Sequence, residues 1–225
     1  MPGVPSLLAH HRACSASGFI LVARQISLCR IIFYKKSEYM ENAVLQDLIK
    51  GCLSNKREHQ KKLYKAFYGF AYNIALRYAD EKEEASIIMN KGFYKVFTCL
   101  LDYKETTDFK AWLRNLMVKA SVEHYINKKH PPVLIPESKT ENINSDCYNL
   151  NGGISFDNAI SMLHQLPYPC RIVFNLFVIE GYAHEKIEVL LGMPVYTSES
   201  LLKSARKELI SLLSAQNGNI SHCSP

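Results

Sequence analysis

Glu180-Gly181-Tyr182-Ala183-His184-Glu185-Lys186-Ile187-Glu188-Val189-Leu190-Leu191-Gly192-Met193 is the stretch that decides how the C-terminal part of this chain folds. From His184 to Leu191 it predicts a short amphipathic helix, because Ile187, Leu190 and Leu191 recur at helical spacing on one face. Gly192 follows where a left-handed residue commonly ends a helix. Pro194 sits in the connection, Thr197 and Ser198 are candidate N-caps, and a longer helix carrying Lys203, Arg206 and Lys207 runs to about Leu213. A short helix, a tight turn and a second, basic helix make the helix-turn-helix plan.

Working outward, residues 156–166 and 169–179 read as two further helices of the same unit. Residues 131–155 hold three prolines, several Asn and Ser, and Gly152-Gly153, a composition expected of a flexible linker. Before the linker, Leu63, Phe67, Phe70, Ile74 and Tyr78 recur every three or four residues and predict a long helix over 62–78. Ile87, Ile88, Phe93, Val96, Phe97 and Leu100 predict a second, from Glu84. Phe109, Trp112, Leu113, Leu116, Val122 and Ile126 predict a third, stopped at His130-Pro131-Pro132 because proline lacks the helix donor. Strand-like alternation is missing from these segments. The expected fold is therefore all-α: two helical domains, 40–130 and 156–213, joined by the linker, with 214–225 a disordered tail.

Residues 1–39 read differently. Their longest apolar run is Phe19 to Ala23, well short of the roughly 18 residues a membrane span needs or the about 7 of a signal-peptide core. Helical spacing resumes only after Met40, at Val44, Leu45, Leu48 and Ile49. Translation is expected to start at Met40, leaving 1–39 as a non-native or disordered extension, and neither export nor membrane insertion is expected.

The net charge of +6 is unevenly spread. Residues 40–129 carry sixteen Lys and Arg against eleven Asp and Glu, whereas 156–225 carry five against six. The first domain could thus offer a basic surface to a polyanion, and the second would have to cluster its few cations on one face. Seven cysteines are scattered without a CxxC pair and suggest reduced thiols packed as small hydrophobes. No Gly-rich phosphate loop, ligand-spaced His or carboxylate cluster, or nucleophile motif stands out, so no catalytic residue, metal or cofactor is expected.

The quoted stretch, preceded by Leu166-Pro167 and Arg171-Ile172-Val173-Phe174-Asn175-Leu176 and followed by Thr197-Ser198-Glu199-Ser200 and Ala205-Arg206-Lys207-Glu208-Leu209, resembles the promoter-reading C-terminal domain of extracytoplasmic-function sigma factors of the sigma-70 family. Upstream, Phe109-Lys110-Ala111-Trp112-Leu113-Arg114 and His124-Tyr125-Ile126-Asn127-Lys128-Lys129-His130 are similar to the family's minus-ten-reading region. Two matched domains in the family's order are more specific than a lone helix-turn-helix.

The resemblance implies a cytoplasmic factor that binds core RNA polymerase and promoter DNA, catalyses no covalent step, and often has an anti-sigma partner. It implies DNA contacts at Tyr196, Thr197, Ser198, Ser200, Lys203, Arg206 and Lys207, with Lys119, Lys128 and Lys129 meeting phosphates from the first domain. The loop Tyr103 to Asp108 is implied as the place where an unstacked base is captured, while Trp112 is expected in the core rather than against a base. Polymerase contact is implied at Glu84, Ile87, Asn90 and Lys91, where the family's usual acidic pattern is replaced by Ile87, Asn90 and Lys91. Further departures are Lys119, Glu123 and Asn127 in the third helix, and Glu199 at a commonly basic position. A degenerate sigma-like interaction protein, or a helix-turn-helix regulator unconnected with polymerase, are the alternative readings.

Overall fold

The computed structural model describes residues 41–128 and 155–218, the last five by backbone alone. Expectations for the N-terminal extension, for the linker before Ser155, for Lys129 and for the end of the tail lie outside the described residues. The fold is all-α, as the sequence implies. The first unit holds α1 (Asn42–Leu53), α2 (Arg57–Tyr78), α3 (Lys82–Thr98) and α4 (Phe109–Asn127). The second holds α5 (Phe156–Gln165), α6 (Tyr168–Phe174), α7 (His184–Leu191) and α8 (Val195–Gly218).

Among the described residues the first bundle holds four α-helices, the three long ones and α1, where the sequence shows helical spacing after Met40. α1 buries Leu45, Leu48, Ile49 and Cys52 against the rest while Val44 stays exposed. Its Gly51 lies so near α2 that a Cβ there would overlap the His59 ring. α2 contributes Leu63, Phe67, Ala71, Ile74 and Tyr78, the face its sequence spacing selects, with Phe70 only partly buried. On α3 the buried residue is Ile88, fully enclosed, whereas its neighbour Ile87 is 49% exposed. Adjacent helical positions point about 100° apart, so only one of the two can face the core. Ile126, also expected in the apolar stripe, sits exposed at the end of α4. Asp108 starts α4 by accepting hydrogen bonds from the amides of Lys110 and Ala111, satisfying two of the donors a helix start leaves free.

In the second unit, Ser155 caps α5 by accepting from the Asn158 amide. The helix expected over 169–179 begins at Tyr168, with Pro169 in its first turn, where no donor is needed. Its α geometry stops at Phe174, and Asn175–Ile179 form a π turn in which the Glu180 amide bonds to the Asn175 carbonyl. Gly192 ends α7 with φ of 65°, the left-handed conformation the sequence called for. α8 starts at Val195, two residues earlier than expected. The amides of Thr197 and Ser198 bond to the Pro194 carbonyl, which puts both residues inside the first turn and excludes them as caps.

The two units are not separate bodies on a string. Their buried side chains belong to one continuous cluster. The seam is polar: Arg77 on α2 is 1% exposed and its Nη2 lies 2.8 Å from Oε1 of Glu180, itself 3% exposed. Arg171 on α6, equally enclosed, pairs with Asp80. A helix end leaves its last carbonyls without intrahelical donors. At the end of α2 those of Leu76 and Arg77 are satisfied from the other unit, by His164 Nε2 at 2.8 Å and Asn175 Nδ2 at 2.7 Å.

Candidate nucleic-acid interface

α7 and α8 present the helix-turn-helix. Ile187 is fully buried beneath α8, which buries Leu201, Leu202 and Ala205 in turn and so fixes which face remains outside. That face shows Tyr196, 72% exposed, together with exposed Lys203 and Lys207. Thr197 and Ser200 are half-buried beside them. Ser198 was expected on the DNA surface, but it is fully buried, with its hydroxyl 2.8 Å from Nδ1 of His184. His184 in turn stacks on Phe177, ring centroids 4.3 Å apart. Ser198 therefore ties α7 to α8 and is shielded from a base. Arg206 is half-buried, its guanidinium 5.9 Å over the Phe177 ring, and burial pulls its pKa below the ordinary value. Of the three expected cations, the two lysines stand freest.

On the first unit, Lys119 is exposed on α4. Lys128, expected to meet phosphate, is instead held by carboxylates, its Nζ 2.6 Å from Asp80 and 2.7 Å from Glu84. Burial alone would lower its pKa, but the two carboxylates outweigh that and hold it above the ordinary lysine value. The same pairing, with Arg171 at Asp80 and His124 at Glu84, overcomes desolvation and keeps both carboxyls below the usual carboxylate range.

Glu84 is likewise occupied within the first unit. Expected to face polymerase, it points inward, accepting from the Asp80 amide at 2.6 Å and lying 2.7 Å from His124 Nε2. The remaining expected polymerase residues do share the outer face of α3: Ile87 and Asn90 are exposed, and exposed Lys91 places Nζ 3.4 Å from Nδ1 of His124. Asn90 Oδ1 accepts from the Tyr64 hydroxyl at 3.2 Å, tying this face to α2.

The loop before α4 forms one wall of an open cavity of about 560 Å³, lined by Asn42, Leu45, Phe67, Tyr103, Thr106 and Asp108 among others. Tyr103 holds the loop by donating to the Thr107 carbonyl at 2.9 Å, and its ring meets Phe109 edge-on and leans on Trp112. Trp112 is half-buried in this aromatic cluster and does not line the cavity. Among the described residues no cluster of His, Cys, Asp or Glu is placed to hold a metal, and no helix is long and apolar enough to cross a membrane. Cys52 and Cys170 are buried free thiols, and burial pushes Cys170 up to about 11.

The seam residues Arg77, Asp80, Tyr168, Arg171 and Glu180 were not singled out from sequence. A signal was present: Arg77 and Arg171 interrupt apolar runs, Leu76-Arg77-Tyr78 and Cys170-Arg171-Ile172, where a cation has to be paired if the run is buried.

Comparison with known proteins agrees with this geometry at the C-terminal end. Residues 156–209 match the family model described as sigma-70, region 4. The match covers the second unit from the start of α5 to within α8. Among solved structures, the chain is similar to CnrH in complex with the cytosolic domain of CnrY, with 18% identity, a TM-score of 0.41, and coverage of 78% of this chain and 99% of that one. It is also similar to the sigma factor RpoE in complex with the anti-sigma factor NepR from Bartonella quintana, at 16% identity and a TM-score of 0.40, covering 68% and 96%.

Proposed function

We propose that this chain is an alternative sigma factor of the extracytoplasmic-function kind, which brings core RNA polymerase to promoters and helps open them without catalysing a covalent step. The observation that carries the reading is the region 4 match over residues 156–209, joined to a helix-turn-helix whose outer face keeps Tyr196, Lys203 and Lys207 exposed. In this reading residues 156–213 read the minus-thirty-five element and 40–130 the minus-ten element. α8 enters the major groove with Tyr196, Thr197 and Ser200 toward base edges, while Lys203 and Lys207 meet phosphates.

The cavity beside Tyr103 to Asp108 gives an unstacked base somewhere to go, and a fitted pocket can offset the few kcal/mol that extrusion costs. The outer face of α3, with Ile87, Asn90 and Lys91, meets polymerase. The factor works in the cytoplasm, where polymerase and DNA are, and an anti-sigma factor is a further partner that the resemblance implies.

Chromosomal mapping of sites occupied by this protein and by polymerase tests the reading. Co-occupied sites clustered upstream of transcription starts support it. Polymerase association without positioned sites would favour the degenerate interaction protein, and positioned sites without polymerase an ordinary helix-turn-helix regulator.

A further inference from the structure

The exposed stripe of α8 carries an acid among its cations. Tyr196, Glu199, Lys203 and Lys207 succeed one another at spacings of three and four residues, so they share a helical face, and all four are exposed. The opposite side is committed to packing, with Leu201, Leu202 and Ala205 buried. Glu199 has no ion-pair or hydrogen-bond partner among the described residues, even though Lys203 stands one turn further along. Other acids of the molecule are used within it: Glu123 lies 2.9 Å from Lys95, and Asp80, Glu84 and Glu180 are each paired with cations. Glu199 therefore presents an uncommitted carboxylate in the middle of the face that the proposed function lays against DNA.

Such a group is costly beside phosphates unless a donor meets it, because a carboxylate only accepts hydrogen bonds. Its place decides which donors are within reach. Glu199 lies in the second turn of α8, which starts at Val195, and the N-terminal residues of a helix in the major groove are the ones that face base edges. There guanine shows two acceptors, N7 and O6, and thymine shows an acceptor and a methyl group. Adenine shows an amine beside the acceptor N7, whereas cytosine shows its N4 amine with no acceptor next to it on its own edge. A carboxylate thus fits cytosine, fits adenine less well, and meets guanine acceptor against acceptor. Lys203 and Lys207, on phosphates, offset the repulsion between Glu199 and the backbone, so this face can carry one acid and still bind.

We propose that Glu199 is a base-reading residue that selects cytosine, its carboxylate accepting a hydrogen bond from the N4 amine in the major groove. The upstream element that this chain reads then has a C·G pair fixed at one position, and an acid rather than a cation determines it. The proposal rests on the sigma-factor reading for placing α8 in the groove and goes beyond it by assigning a base.

The test uses the full chain, alone at low salt and with core polymerase, against a pool of duplexes with a randomised core; the bound duplexes are sequenced. Wild type is expected to enrich cytosine at one position, and exchanging that C·G pair for G·C in the best duplex should weaken binding about tenfold. Glu199→Ala should lose this preference while keeping those at other positions. Glu199→Gln should move it to adenine, whose N6 and N7 match the acceptor and donor of an amide. Circular dichroism should show unchanged helicity in both variants, since Glu199 is exposed. A role confined to orienting Lys203 would change affinity evenly across sequences. That result, or a base preference that survives both substitutions, overturns the assignment and leaves the sigma-factor reading in place. Enrichment of no sequence in either arm would instead remove that reading, and the assignment with it.

Discussion

The outer face of α3 yields the prediction with the clearest mechanism. The resemblance implies that polymerase offers a basic coiled-coil surface to this helix, and here Ile87 and Lys91 stand where acidic groups usually do. Ile87→Asp with Lys91→Glu should therefore strengthen association. The structure answers the first objection, that Ile87 packs in the bundle and Asp would unfold it: Ile87 is 49% exposed and Ile88 is the residue in the core.

The new acids lie four apart and repel by about 0.2–0.5 kcal/mol, and Asp costs a few tenths more in helix propensity. A stability loss below about 1 kcal/mol leaves the bundle folded. On the binding side, one neutral residue becomes negative and one positive residue becomes negative. At about 0.2–1 kcal/mol per unit of charge changed, three units total about 0.6–3 kcal/mol, or roughly three-fold to somewhat over a hundred-fold in affinity.

It should appear mainly in the association rate and fade with salt, because the screening length falls from about 30 Å at 0.01 M to about 8 Å at physiological ionic strength. Surface plasmon resonance against immobilised core polymerase measures this, and circular dichroism confirms folding. A folded variant that associates no faster than the parent at low salt would refute the reasoning.

Three other predictions address the scaffold. Gly92→Ala should destabilise the first unit, because its Cβ would overlap Sδ of the fully buried Met117. Overpacking of about 1–3 kcal/mol exceeds the roughly 1 kcal/mol gained in helix propensity, and an unchanged or higher melting temperature would contradict it. Ser198→Ala should lower the stability of the second unit by about 1–2 kcal/mol through the lost hydrogen bond with His184, whereas Lys203→Ala should leave stability alone and reduce the salt slope of DNA binding by about one. Equal effects of the two on melting would mean Ser198 is not a structural residue. The carboxyls of Asp80 and Glu84 have folded pKa values below their ordinary ones, so their stabilisation is complete above about pH 5 and is lost progressively as pH falls further, through the folded values. Thermal melts from about pH 6 to about pH 2 should show that loss diminished in Asp80→Asn; an identical profile would remove Asp80 from the acid response.

The helical architecture was legible because burial leaves a period in the sequence. Leu63, Phe67, Ile74 and Tyr78 trace one face of α2, and Gly192 marks a turn few other residues could make. Periodicity failed where two apolar residues are adjacent, since it cannot choose between Ile87 and Ile88 without knowing the direction of the core. The resemblance misplaced Glu84 and Lys128, because matching residue types along a chain does not reveal that a carboxylate and an ammonium satisfy each other. The start of α8 was misplaced because Thr197 and Ser198 are good caps by type, while the Pro194 carbonyl had already taken their amides. Least legible was the seam, whose partners lie about a hundred residues apart, as in Arg77 and Glu180. Only the isolated arginines in apolar surroundings pointed to it.

Run-off transcription with purified core polymerase on chromosomal fragments tests the central claim most directly. The account predicts transcripts starting at discrete sites only when this protein is added, weakened by Lys203→Ala with Lys207→Ala, whose side chains are exposed on α8 and whose loss leaves the fold intact. Polymerase that binds the protein yet starts no transcript on any fragment, even at low salt, would contradict it.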